Sequence, residues 1–165
     1  MKPALAWCAL ACWAGMGLAQ AQWLGESNWQ EGEVPEPPAF SLEGLVRFEV
    51  HPNSPMVYEI DPRTIVISPS DRVVRYVVVV RSPSGGRNVF YEGIRCPTAE
   101  VKTYARHNGS AWVALSEPLW SPMASRPSRH TAQLARQGAC EGAGTPLKAE
   151  DVVRALQQNL RASNR

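Results

Sequence analysis

The sequence predicts an α+β domain: an antiparallel sheet of about five to six strands followed by two short C-terminal helices, held by one disulfide. Three observations lead there. Residues 73–81 (Val, Val, Arg, Tyr, four valines, Arg) are the strongest strand signal, and their β-branched run marks a central strand buried on both faces. Turn chemistry separates the segments around it, with Ser82-Pro83-Ser84-Gly85-Gly86-Arg87 as one hairpin loop and Asn108-Gly109 as another. After Trp120 the strand pattern gives way to helix start and stop signals.

The elements follow in order. Residues 45–50 alternate as a half-buried strand, ended by His51-Pro52-Asn53-Ser54-Pro55. Residues 65–67 form a short strand, and Ser68-Pro69-Ser70-Asp71 fits a type I turn with proline in second place. The central strand at 73–81 returns through 88–96, and residues 101–105 and 111–115 flank Asn108-Gly109. Ser128 can cap a short helix that runs to Gln137 and stops at Gly138. Thr145-Pro146 opens a last helix, threonine as cap and proline in the first turn. Its Glu150 and Asp151 suit the helix dipole, and Val152, Val153, Leu156 and Leu160 form one apolar stripe.

The N-terminus reads as a signal peptide, residues 1–21. Lys2 is the only charge in the first 25 residues, an apolar run follows over 4–18, and Ala19-Gln20-Ala21 is a small-x-small cleavage site. The run falls short of the about 20 residues needed to span a bilayer, and Gly15 and Gly17 break it. Cys12 lies too early, in too poor a box, for lipid attachment to be expected. The expected location is periplasmic or otherwise exported, with no transmembrane segment in the mature chain. Cys8 and Cys12 leave with the signal peptide, so Cys96 and Cys140 remain as a pair in an oxidising compartment. Closing the loop between them removes about 4 kcal/mol of unfolded-state entropy on the chain-entropy model.

Residues 22–39 read as a flexible acidic leader rich in proline, with Trp23 and Trp29 as unusual apolar residues in it. The domain proper is expected at 40–141, with a C-terminal helix and tail at 142–165. Residues 22–61 hold eight acidic residues against Arg47 alone, whereas 62–165 hold seven against 15 basic. The two halves complement each other, or the second presents a basic face to an anionic envelope partner. The scattered basic residues argue against nucleic acid as a partner.

Catalytic and metal motifs are missing from the sequence. There is no G-x-S-x-G and no H-E-x-x-H, and His51, His107 and His130 are not at ligand spacing. No cofactor and no metal is therefore expected. Ser84-Gly85-Gly86-Arg87 can cradle an anion, although a plain hairpin turn explains it as well. Asn108-Gly109-Ser110 matches a glycosylation sequon that a tight turn also explains. One polar constellation stands out on the central hairpin. Pairing Arg81 with Asn88 sets Glu92 opposite Val77, with Arg75 as its diagonal neighbour. Arg75, Asn88 and Glu92 are thus the candidate ligand-binding residues; a structural ion pair is the plainer alternative.

Arg75-Tyr76, Asn88, the run Tyr91-Glu92-Gly93-Ile94-Arg95-Cys96, Lys102, Tyr104, Trp112 and Cys140, with Trp29, Glu31 and Asp61 before them, resemble the CNP-like (cryptic neisserial protein-like) family. The resemblance spans about residues 29–141. It implies a single-domain bacterial envelope protein, often suggested to be a lipoprotein, with no established activity and no catalytic residues to carry over. The expected function is a non-catalytic module that binds or scaffolds an envelope protein or glycan. The alternative is a small-ligand binder or enzyme acting through a pocket near Arg75 and Glu92, with Tyr104, Trp112 and Trp120 at its rim.

Overall fold

The computed structural model describes residues 28–163. The expected signal peptide and Trp23 lie outside the described residues. Six strands follow one antiparallel path: β1 (Val46–Phe48), β2 (Val57–Ile60), β4 (Val74–Arg81), β5 (Arg87–Arg95), β6 (Glu100–His107) and β7 (Trp112–Ala114). Two short strands extend it, β3 (Val66–Ile67) on β4 and β8 (Ser121–Pro122) on β6. The helices come last: α1 (His130–Leu134), which widens into a π turn over Ala135–Ala139, and α2 (Ala149–Ser163). This is the expected α+β architecture.

β4 is central because both of its faces are apolar. Tyr76, Val78 and Val80 join Ile60, Ile94, Leu134, Val152 and Leu156 in the core beneath the helices. Val77 and Val79 join Val89, Tyr91, Tyr104 and Ala105 on the opposite face. Of the expected stripe on α2, Val152 and Leu156 are buried and Val153 packs against the same core, while Leu160 is half-buried and lies outside that cluster. β2 has no counterpart among the expected strands. Its Val57-Tyr58-Glu59-Ile60 follows a cluster of turn residues and is made a strand by pairing with β4.

Local chemistry shifts several boundaries. The segment 68–71 is a wider turn than a type I turn, since Arg72 N bonds Ser68 O at 2.9 Å with Arg72 at φ 58°. The β6–β7 loop centres on Gly109-Ser110, because Asn108 Oδ1 accepts from the backbone N–H of both Ser110 and Ala111. Ser128 does not cap α1; Arg129 holds the N-cap position and the Ser128 hydroxyl bonds the His130 ring. α2 starts at Ala149 rather than Pro146, because Thr145 spends its hydroxyl on Arg72 O at 3.0 Å. Asp61 caps a 3-10 turn over Pro62–Thr64, and Thr64 Oγ1 accepts from Val77 N at 2.9 Å. Just past β1, the Gln137 side-chain amide bonds both the N–H and the C=O of Glu49.

The leader, expected to be flexible, touches the domain from Trp29 onward. The Trp29 indole donates to Asp71 O at 3.0 Å, and Pro38 O accepts from Trp112 Nε1 at 3.1 Å. Phe40 packs edge-on to Trp112, ring centroids 5.6 Å apart.

Cys96 and Cys140 are bonded, their Cα atoms 5.7 Å apart, tying the end of β5 to the end of the π turn. Between them the chain runs through β6 to α1, including a Ser- and Pro-rich stretch that constrains it poorly. Replacing Cys140 with serine is expected to cost about 2–5 kcal/mol. Urea unfolding of the variant beside the wild type measures it, and thiol titration of the denatured, unreduced variant should find Cys96 reactive.

Candidate functional site

The register of the β4–β5 hairpin decides which polar side chains meet. The pairing is one residue away from the expected one. Arg81 pairs with Arg87, Tyr76 with Glu92 and Arg75 with Gly93. The cause lies in the loop: Ser82 N bonds Gly86 O at 2.8 Å, leaving Pro83, Ser84 and Gly85 as a three-residue turn with Gly85 at φ 85°. A one-residue slip moves a side chain to the other face. Arg75 and Glu92 therefore lie on opposite faces and form no pair, and the expected pocket joining Arg75, Asn88 and Glu92 does not exist as such. Asn88 and Glu92 share the helix-side face, and Arg75 occupies the other.

A β-bulge in β6 completes the division. Tyr91 pairs with Ala105 and Glu92 with Thr103, so Tyr104 is the extra residue. Tyr104 and Ala105 both enter the cluster on the Arg75 face. Thr103 bonds Glu92, and beyond the bulge Arg106 returns to the Glu92 face.

That face carries a cleft of about 880 Å³. Phe90, Met56, Val113, Leu115 and Leu119 supply its apolar wall, and Asn88, Arg106, Glu117 and Arg126 its polar one. At its floor Glu92, 2% exposed, accepts from the Tyr76 hydroxyl at 3.1 Å and the Thr103 hydroxyl at 3.1 Å. His130 Nε2 lies 2.9 Å from Glu92 Oε2, and its Nδ1 lies 2.6 Å from Ser128 Oγ. The Tyr58 ring stacks on the imidazole, centroids 5.8 Å apart. Arg126 donates to Thr103 Oγ1 at 3.3 Å, which ties the cleft wall to the buried carboxylate. Burial pushes the Glu92 carboxyl up, but His130, Tyr76 and Arg126 more than offset it and hold the group below its usual range.

The other face is built around Arg75, a guanidinium with no exposure in the middle of β4. Asp71 accepts from it twice, at 3.3 and 2.7 Å, and Glu31 Oε1 lies 3.5 Å away. Glu31 also accepts from Lys102 Nζ at 2.6 Å, the Tyr104 hydroxyl at 2.7 Å and Trp120 Nε1 at 3.2 Å. Tyr104 reaches this point across Gly93, where an added Cβ would sit 2.6 Å from the tyrosine oxygen. The aromatic side chains thus part company. Tyr104 and Trp120 converge on Glu31, while Trp112 packs with Phe40 and His107. They rim no common pocket with Glu92.

Sequence reasoning found Asn88 and Glu92 but missed their partners. Ser128 resembles a helix cap, His130 lies far from the other histidines, and Arg106 and Arg126 carry no local signal at all. Asp71 looks like an ordinary turn residue, although its spacing of four from Arg75 was open to view.

These carboxylates make stability depend on pH. Burial pushes Asp71 up, yet Arg75 and the N–H groups of Val73 and Gly32 bring it down to about 2. Glu31 is likewise lowered, burial being outweighed by Lys102, Tyr104 and Trp120. Groups depressed in the folded state stabilise it above their unfolded pKa and stop doing so as pH falls through the folded one. Urea unfolding is expected to show full stability above about pH 5 and a steady loss toward pH about 2. Asp71→Asn is expected to cost about 3–5 kcal/mol at neutral pH, by leaving Arg75 buried without its main counter-charge, and to flatten that acid limb.

No curated protein and no solved structure matches the chain. The model of the CNP1-like family matches residues 25–157, most of the sequence, and the chain belongs to that family.

Proposed function

We propose that this chain is an exported, non-catalytic binding module, and that the cleft between the sheet and the segment 113–128 takes a small ligand with an apolar body and an acidic group. Export rests on the N-terminal sequence and accords with the disulfide. Among the described residues no helix is long and apolar enough to cross a membrane.

The carrying observation is the composition of the cleft. Its mouth leaves apolar side chains in water, Leu119 77% and Val113 50% exposed, beside the guanidiniums of Arg106 and Arg126. Glu92 at the floor has its carboxylate oxygens engaged by His130, Tyr76 and Thr103, and Glu117 lies on the wall with the two arginines. A concave, largely apolar wall with a few convergent polar groups is the common form of a small-molecule site, and two guanidiniums select an anion.

A suitable probe is 1-anilinonaphthalene-8-sulfonate, an apolar ring system with one sulfonate. Saturable fluorescence enhancement by the native protein is expected. Arg106→Ala and Arg126→Ala should each weaken binding about tenfold, and Leu119→Asp should abolish it. Enhancement that is unsaturable, or indifferent to both arginine variants, would sink the proposal.

One feature favours a second reading, hydrolysis of an ester. Ser128, His130 and Glu92 form a hydroxyl–imidazole–carboxylate chain on the cleft wall. The serine sits on Nδ1 and the carboxylate on Nε2, the reverse of the serine-protease order, but a proton can pass along it either way. Under this reading a fluorophosphonate labels Ser128 covalently, and His130→Gln prevents it. No adduct on the native protein leaves the binding function alone.

A further inference from the structure

On the face away from the cleft, a short stretch of the leader lies in a groove as a bound peptide would. Trp29 lies beneath the Arg95 guanidinium, 3.5 Å from ring centroid to Cζ, and edge-on to Trp120 at 5.7 Å. Two residues on, Glu31 meets Lys102, Tyr104, Trp120 and, at 3.5 Å, Arg75. Gly32 then passes so close to the 68–71 turn that a Cβ there would lie 2.7 Å from Ser70 Oγ, and its N–H donates to Asp71 Oδ2 at 2.9 Å. Aromatic, acidic and glycine positions each have their own receptor, and every receptor group comes from beyond residue 67.

Nothing in the ladder of the sheet depends on this stretch. Residues 29–40 belong to no strand or helix. Val34, Pro35 and Glu36 are exposed, and Pro35, Pro37 and Pro38 carry the chain onward to Phe40. Departure of the stretch breaks side-chain contacts and one backbone hydrogen bond to a carboxylate, while the eight strands keep their partners. It leaves Lys102 and Arg75 facing an open groove, with the Tyr104 hydroxyl and Trp120 indole as unmatched donors. Such a groove attracts a carboxylate, and the Arg95–Trp120 pair beside it attracts an aromatic ring.

We propose that this groove is a recognition site for an acidic peptide carrying tryptophan two residues before glutamate and glycine after it, and that residues 29–32 are its resident occupant in cis. A partner protein presenting the same pattern takes the groove by displacing that stretch. A tethered occupant competes at millimolar effective concentration, so a free peptide reaches the groove only in proportion to the fraction of chains in which it stands open.

The test uses a fluorescein-labelled, end-blocked peptide of residues 28–34 and the purified protein, read by fluorescence polarisation. Against the chain carrying Trp29→Ala together with Glu31→Gln, saturable binding is expected. Against the wild type the same peptide should bind at least tenfold more weakly, because the resident stretch competes. Lys102→Ala in the double variant, or glutamine in place of glutamate in the peptide, should each weaken binding about tenfold or more. Thermal melting and retention of the disulfide establish that the double variant is folded; should it fail to fold, the wild-type arm at high protein concentration carries the test with Lys102→Ala. Absence of saturable binding to any folded form overturns the proposal. So does binding that ignores both the peptide's carboxylate and Lys102, which would mark a non-specific apolar contact.

Discussion

A guanidinium buried without exposure in the central strand is the constraint on which one whole side of this molecule depends. Arg75 cannot lose its proton, so its charge must be met inside the protein. Asp71 meets it from the turn that precedes β4, which requires that turn to be wide enough to fold the carboxylate back over the strand. Tyr104 reaches the same place from two strands away, and only a glycine at position 93 lets it cross. Glu31 arrives from outside the sheet and balances Lys102 as well as adding to the field around Arg75. The docked leader, the bulge in β6 and the glycine in β5 are thus connected parts of one answer to a single buried charge.

The opposite face solves a parallel problem with different parts. Glu92 is buried like Arg75, and its partner is the His130 ring at the start of α1. The disulfide fixes the far end of that helical segment to the end of β5, the strand that carries Glu92. His130 and Glu92 are held together from both ends, and the cleft above them has a rigid floor. Between the two polar centres lies only the thickness of one strand pair, Arg75 and Tyr76 being neighbours in sequence with opposite directions. The bulge at Tyr104 is what lets β6 serve both, sending Tyr104 one way and Arg106 the other.

Most of the architecture was legible because it follows from local patterns. The β-branched run from Val73, the turn residues around it, the apolar stripe of α2 and the Cys96–Cys140 pair each carry their own physical signature. The site was less legible because it depends on register. Alternation along β5 correctly groups Asn88, Phe90, Glu92 and Ile94, but which of them faces Tyr76 rather than Val77 is settled by the conformation of Pro83, Ser84 and Gly85. A three-residue turn with glycine in the left-handed region and a longer open loop look alike in the sequence. The partners of Glu92 and Arg75 were hidden for a different reason. His130, Arg126 and Glu31 come from segments distant in the chain, and proximity of that kind leaves no periodic trace.

The amide of Gln137 has a consequence for how these molecules behave in a crowd. A strand at the border of a sheet offers its backbone groups to any passing strand, and an antiparallel sheet this regular would welcome one. By taking both the N–H and the C=O of Glu49, the glutamine side chain occupies the position from which another chain would begin to add. At the other border β7 is only three residues long, Trp112–Ala114, too short to template much of a neighbour. Growth by strand addition is therefore discouraged at both borders of the sheet.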